Sequence, residues 1–145
     1  MKITNKSAYF EYNILDTYEA GVVLTGAEAK AIHGGRVKLD AAYVRIIDGK
    51  PQLINAVIPT YEFAHDDKYH PDRTRPLLLK KAEILKLTQK LLTKGLTLIP
   101  VSMYTKKNLV KVQIGLAKGK QAFEKRAAIK KKDSDRELRR DYKLR

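Results

Sequence analysis

Val110, Val112 and Ile114 alternate with Lys111 and Gln113. A period of two gives a strand one apolar and one polar face. Beyond this strand come Gly115-Leu-Ala-Lys118-Gly119-Lys120 and then Glu124-Lys125-Arg126, and almost no apolar run follows. The chain therefore divides into a body able to fold around a core and a basic arm that cannot. The expected division is a domain over residues 1–117 and a tail over 118–145, disordered alone and helical once bound.

Charge sharpens that division. The 145 residues carry 30 Lys+Arg against 16 Asp+Glu, a formal net charge of +14. The tail alone holds 12 Lys+Arg and 5 acids, net +7, half the excess in a fifth of the length. Such an excess points to a polyanionic partner, either nucleic acid or an acidic membrane surface. The tail's apolar residues, among them Ala122, Phe123, Ala127, Ala128, Ile129 and Leu138, are too sparse for a core. A segment of this kind folds on an RNA surface rather than alone. The chain has no cysteine, which excludes a disulfide framework and thiolate metal sites. No apolar run reaches membrane-spanning length, and the first residues do not read as a signal peptide. A cytoplasmic protein with no membrane contact is expected.

The body reads as mainly β. Met1 to Ala8 is polar, with Asn5 and Lys6 expected to be exposed. Strand character flanks Tyr18-Glu-Ala-Gly21, which reads as turn-like, and Tyr9, Phe10 and Tyr12 read as core aromatics. Thr25 and Glu28 have the capping-box spacing for a short helix that ends at Gly34-Gly35. Tyr43 to Ile47, Asp48-Gly49 and Gln52 to Asn55 read as a hairpin. Thr60 to Pro76 is the long irregular segment. Ala82 to Lys94 reads as an amphipathic helix, with Ile84, Leu85, Leu87, Leu91 and Leu92 on or near one face. Strands follow at Leu96 to Ile99 and Val101 to Tyr104, broken at Pro100, then a turn at Lys107-Asn108. A small β-barrel with a helix closing one end fits this order, and the oligonucleotide-binding (OB) barrel is the commonest such architecture.

Catalytic and metal readings fail on detail. Gly115 to Lys120 has three residues between its glycines, and Gln121 stands where a phosphate loop needs Ser or Thr. His65, Asp66, Asp67 and His70 lie in the irregular segment, with no rigid element to set ligand geometry. The serines show no nucleophile signature, so no enzyme, metal or cofactor is expected. Glu19 reads equally as a solvated carboxylate or as an acceptor facing RNA bases and 2′-hydroxyls. Lys111 could be no more than the polar face of its strand.

Several stretches together resemble the SmpB family, the protein partners of transfer-messenger RNA (SsrA) in bacterial ribosome rescue. They are Asn5-Lys6-Ser-Ala8, Tyr18 to Glu28, Arg73-Thr-Arg75 with Leu77-Leu-Leu79, Lys94 to Pro100, Val110-Lys-Val, and Leu116 to Lys120 with Glu124-Lys-Arg126. The resemblance covers nearly the whole chain. It implies an OB-like closed β-barrel with flanking α-helices and a basic C-terminal tail. It also implies an RNA-binding adaptor of trans-translation that grips the tRNA-like domain of transfer-messenger RNA. Elongation factor Tu would join the delivery complex, and the tail would enter the decoding centre and empty mRNA channel of the small ribosomal subunit.

Carried over by position, Asn5, Lys6, Glu19, Leu78 and Lys111 belong to the RNA-gripping face. Lys118, Lys120, Phe123, Lys125, Arg126, Lys130, Lys131 and Lys132 belong to the root of the tail. The chain departs from the family's pattern at Tyr9, Phe10 and Pro76, where basic residues are frequent, and at Glu124, where Asp is usual. Phe123 stands where some relatives carry a His proposed to stack on a decoding base; a benzyl ring stacks without the ring nitrogens. A ribosomal or ribosome-assembly protein binding ribosomal RNA is the alternative reading.

Overall fold

The computed structural model describes residues 2–59, 69–121, 123–127 and 129–130. Its elements in chain order are β1 (Lys2–Thr4), α1 (Lys6–Glu11), β2 (Tyr12–Val22), α2 (Gly26–His33), β3 (Tyr43–Ile47), β4 (Lys50–Ile54), β5 (Arg75–Leu78), α3 (Lys81–Lys90), β6 (Leu96–Lys106) and β7 (Leu109–Gly119). Residues 123–127 and 129–130 are helical. The strands form one seven-stranded sheet in the order β1-β6-β3-β4-β5-β2-β7, and β6 also pairs with β7. Every strand pair is antiparallel. The core comprises Ile32, Leu53, Leu87, Leu98, Met103, Val112 and Ile114, all at 0 % exposure, with smaller residues between them. A satellite cluster of Ala8, Ile99 and Ala117 seats α1.

Local signals held where the sequence carried them. The Thr25 hydroxyl accepts from the Glu28 N–H, and the Glu28 carboxylate accepts from the Thr25 N–H. Asp48 and Gly49 have φ of 51° and 73°, and Lys107 and Asn108 have 51° and 64°, so both hairpin turns take left-handed conformations.

Elsewhere tertiary pairing overrode the local reading. β2 runs unbroken through Glu19, where a turn was expected, because β7 pairs with it along its length. A shift of register between Ile14 and Asp16 leaves Leu15 as the extra residue, a β-bulge that turns the strand. β6 does not break at Pro100; its register shifts between Pro100 and Ser102, where a missing N–H is tolerated. Between these two irregularities lies Gly115. A Cβ there would stand 2.6 Å from Val101 Cγ2 and 3.3 Å from Ile14 Cγ2, so a glycine lets three strands approach closely. β7 accordingly continues to Gly119 instead of giving way at Gly115, two residues past the expected limit of the body.

The amino end differs too. Lys6–Glu11 is helical, and Tyr9 and Phe10 are 51 % and 40 % exposed rather than core. Asn5, expected on the surface, is buried; its amide donates to Leu39 O at 3.1 Å and Pro100 O at 2.8 Å. α3 stops at Lys90 and fully buries only Leu87, while Leu85 and Leu92 face outward.

The irregular segment hides the strongest polar cluster. Arg75 is 0 % exposed, and its guanidinium lies 2.7 Å from Glu28 Oε2. It also donates to Ala56 O, Arg73 O and Pro71 O at 2.8–2.9 Å. Arg73 brings a second guanidinium to the same carboxylate. The Tyr69 hydroxyl donates to Ile58 O at 2.8 Å and accepts from Arg75 at 3.1 Å. Burial by itself would push the Glu28 carboxyl up, but hydrogen bonds from Arg73, the Thr25 N–H and Arg75 outweigh it and hold the group at about 2.

Replacing Glu28 by Gln leaves Arg75 charged, buried and unpaired, so Glu28→Gln should destabilise the protein by ~3–5 kcal/mol at neutral pH. The folded-state value lies below the unfolded one, about 4.3, so this stabilisation is complete above that pH and is lost as pH falls toward 2. Denaturant melts of parent and variant should converge on acidification. A gap that stays constant from neutral pH down to about 2 would contradict the assignment.

Candidate nucleic-acid interface

Register partners in an antiparallel sheet share a face. Lys2 of β1 stands opposite Tyr104 of β6, Tyr104 opposite Lys111 of β7, Lys111 opposite Gly21 of β2, and Gly21 opposite Leu78 of β5. The next row on that face is Thr4, Ser102, Gln113 and Glu19. Val110, Val112, Met103, Ala20 and Leu77 take the alternate positions and are buried. The outward face thus brings Glu19, Leu78 and Lys111 together although they are far apart in the chain. Lys111 stands in this row between Tyr104 and Gly21.

Glu19 and Leu78 are held in place. The Glu19 carboxylate accepts from the Tyr104 hydroxyl, and Lys106 Nζ lies 3.5 Å from its other oxygen. The Tyr104 hydrogen bond, with Lys106 and Lys111 nearby, keeps Glu19 below the usual carboxylate range. Burial, then the bond to Glu19, pushes the Tyr104 phenol up to about 12. At neutral pH the pair is a carboxylate acceptor and a protonated donor. Leu78 is 63 % exposed and lies across Gly21, where a Cβ would stand 3.4 Å from Leu78 Cβ. The missing side chain leaves a shelf on which the leucine rests.

Sequence reading missed Tyr104, Lys106 and Lys2 as members of this face. The alternation of β7 pointed to Gln113 beside Lys111, but the strand partners follow only from register.

A second group gathers at the root of the arm. Lys118 is exposed near the end of β7, opposite Asn13. The Lys120 N–H donates to Glu11 O and its ammonium to Tyr9 O, both at 2.8 Å. Asn13 Nδ2 donates to Glu124 Oε2 at 2.6 Å. Phe123, 66 % exposed, and Lys125, Arg126 and Lys130 lie in the helical residues that follow, with Arg126 and Lys130 exposed. Lys6 is exposed at the start of α1, above the buried Asn5. Lys131 and Lys132 lie outside the described residues, as do His65, Asp66 and Asp67 of the irregular segment. Among the described residues no group of three or more His, Asp or Glu is arranged to hold a metal ion, and no helix is long and apolar enough to cross a membrane.

Comparison with known proteins agrees with this geometry. The family model described as SmpB protein matches residues 2–144. An SsrA-binding protein of Persephonella marina is 51% identical over 140 residues, 97% of this chain and 92% of that protein. One from Streptococcus mutans serotype c is 45% identical over 139 residues, 96% of this chain and 90% of that protein. A chain of the solved structure "tmRNA-SmpB: a journey to the center of the bacterial ribosome" superposes with a TM-score of 0.71 at 40% identity, covering 83% of this chain and 85% of that one. With a family match along nearly its whole length and a shared fold, the chain belongs to the SmpB family.

Proposed function

We propose that this chain is the RNA-binding adaptor of trans-translation. It binds the tRNA-like domain of transfer-messenger RNA, delivers it with elongation factor Tu to stalled ribosomes in the cytoplasm, and stands in for the missing anticodon arm. It performs no chemistry itself. The observation that carries this reading is the convergence of Glu19, Leu78 and Lys111 on one sheet face in a chain whose relatives are SsrA-binding proteins.

On that face Lys2, Lys106 and Lys111 supply cations for phosphates, which fix position without reading sequence. Glu19 accepts from a 2′-hydroxyl or base amine, and Leu78 offers an apolar surface to a sugar or base. Asn5, being buried, acts by fixing the start of α1 beneath Lys6. A closed OB-like barrel over residues 1–117 is part of this reading. It is supported by the pairing of β6 with both β3 and β7, which returns the sequence of strand contacts to its starting strand. The arm over 118–145, with Lys118, Lys120, Phe123, Lys125, Arg126 and Lys130 to Lys132, occupies the decoding centre and empty mRNA channel.

Glu19→Ala should weaken binding to transfer-messenger RNA by ~1–3 kcal/mol through loss of a charged acceptor. The carboxylate is half-exposed, so the melting temperature should not move. A clear fall in melting temperature would make Glu19 structural instead. Affinity should also fall steeply between low and physiological salt, as counterions are released, and a flat titration would refute phosphate-dominated binding. Truncation after Lys132 should spare folding and binding to transfer-messenger RNA but abolish tag addition on ribosomes lacking a stop codon. A truncated protein that tags normally, or that loses RNA binding, would contradict the division of labour.

A further inference from the structure

α1 has an unusual need at its C-terminal end. Its six residues place no basic side chain in the last turn. The final carbonyls of any helix lack partners within it, and the helix dipole favours a cation there. The Tyr12 N–H takes Ala8 O. Lys120 takes two more carbonyls, its N–H on Glu11 O and its ammonium on Tyr9 O, from 111 residues away in the second case. Four residues further on, Glu124 accepts from Asn13, the second residue of β2. A carboxylate acceptor at 2.6 Å is the strong kind of hydrogen bond. The Lys125 N–H donates to Gln121 O, closing the first helical turn between the two fastenings.

We infer that Asn13 and Lys120 are positioning residues that fasten the arm to the α1–β2 corner and so fix the direction in which it leaves the body. One fastening on a flexible segment would leave it free to swivel. Two fastenings, spanned by a closed helical turn, hold an axis. Lys120 carries a structural duty in addition to its charge. Glu124 is committed to Asn13, so the acid in this basic stretch orients its neighbours Lys125 and Arg126 rather than merely diluting their charge. Orientation matters because an arm bound through backbone contacts must present its cations in register with the phosphates. This inference rests on the proposed action of the arm on the ribosome, but its first test does not.

The chain has no cysteine, so Lys50→Cys at the exposed start of β4 and Lys130→Cys in the arm give unique sites for spin labels. In the free protein the distance distribution between them should be narrow. Asn13→Asp sets a carboxylate against Glu124 and should broaden it. Adding Glu124→Gln to Asn13→Asp restores a donor–acceptor pair with reversed polarity and should narrow it again. In parallel, Asn13→Asp should lower tag addition by up to ~100-fold, the loss a misplacement of about 1 Å can cause, and leave transfer-messenger RNA binding within about twofold. The double variant should recover tagging. An unchanged distribution in Asn13→Asp, a double variant that stays broad, or a broadened arm that tags normally would each overturn the inference. A parent protein that fails to tag would refute the proposed function, while the distances in the free protein would still decide the fastening.

Discussion

Two guanidinium groups on one buried carboxylate tie the start of β5 and the residues just before it to α2. Glu28 lies in the first turn of α2, and its backbone already belongs to the capping box with Thr25. Its side chain collects Arg73 and Arg75, and through Arg75 the carbonyls of Ala56, Arg73 and Pro71. A charge taken out of water is costly unless its hydrogen bonds are nearly all replaced, and here no buried side-chain polar atom among the described residues lacks a partner. The cluster anchors Arg75, fully buried, at the first position of β5. Arg75 opens β5, and Leu78 stands three residues further on the same strand. Fixing Arg75 sets where Leu78 lands, which is across Gly21 and level with Lys111.

The proposed RNA-binding face depends on a similar economy of charge. A protein at +14 gains attraction to RNA from every lysine it exposes, but attraction alone does not orient. Glu19 gives part of that attraction up. In return Tyr104 and Lys106 are tied to one point on the face. The arm's root repeats the pattern with Glu124 and Asn13. In both places an acid stands among cations and is held by a neutral donor, Tyr104 or Asn13.

The sequence by itself determined whatever is decided within about four residues. The capping box of α2, the left-handed hairpin turns and the alternation of β7 rest on backbone dihedrals and nearest hydrogen-bond partners, and all of these were legible. The expected split between an apolar body and a charged arm rested on composition, because burial needs apolar residues and the arm has few. Position-by-position resemblance also pointed to Glu19, Leu78 and Lys111, without a physical reason for grouping them. Tertiary structure alone decided the rest. Asn5 looked like a surface residue because its partners, Leu39 O and Pro100 O, lie 34 and 95 residues away. Tyr18-Glu-Ala-Gly21 looked like a turn because the strand that straightens it is β7. Arg73 and Arg75 looked like loop charges because the carboxylate they serve is Glu28. A partner so distant leaves no periodicity in the sequence around it, and only the strand pairings of the folded sheet bring the two together.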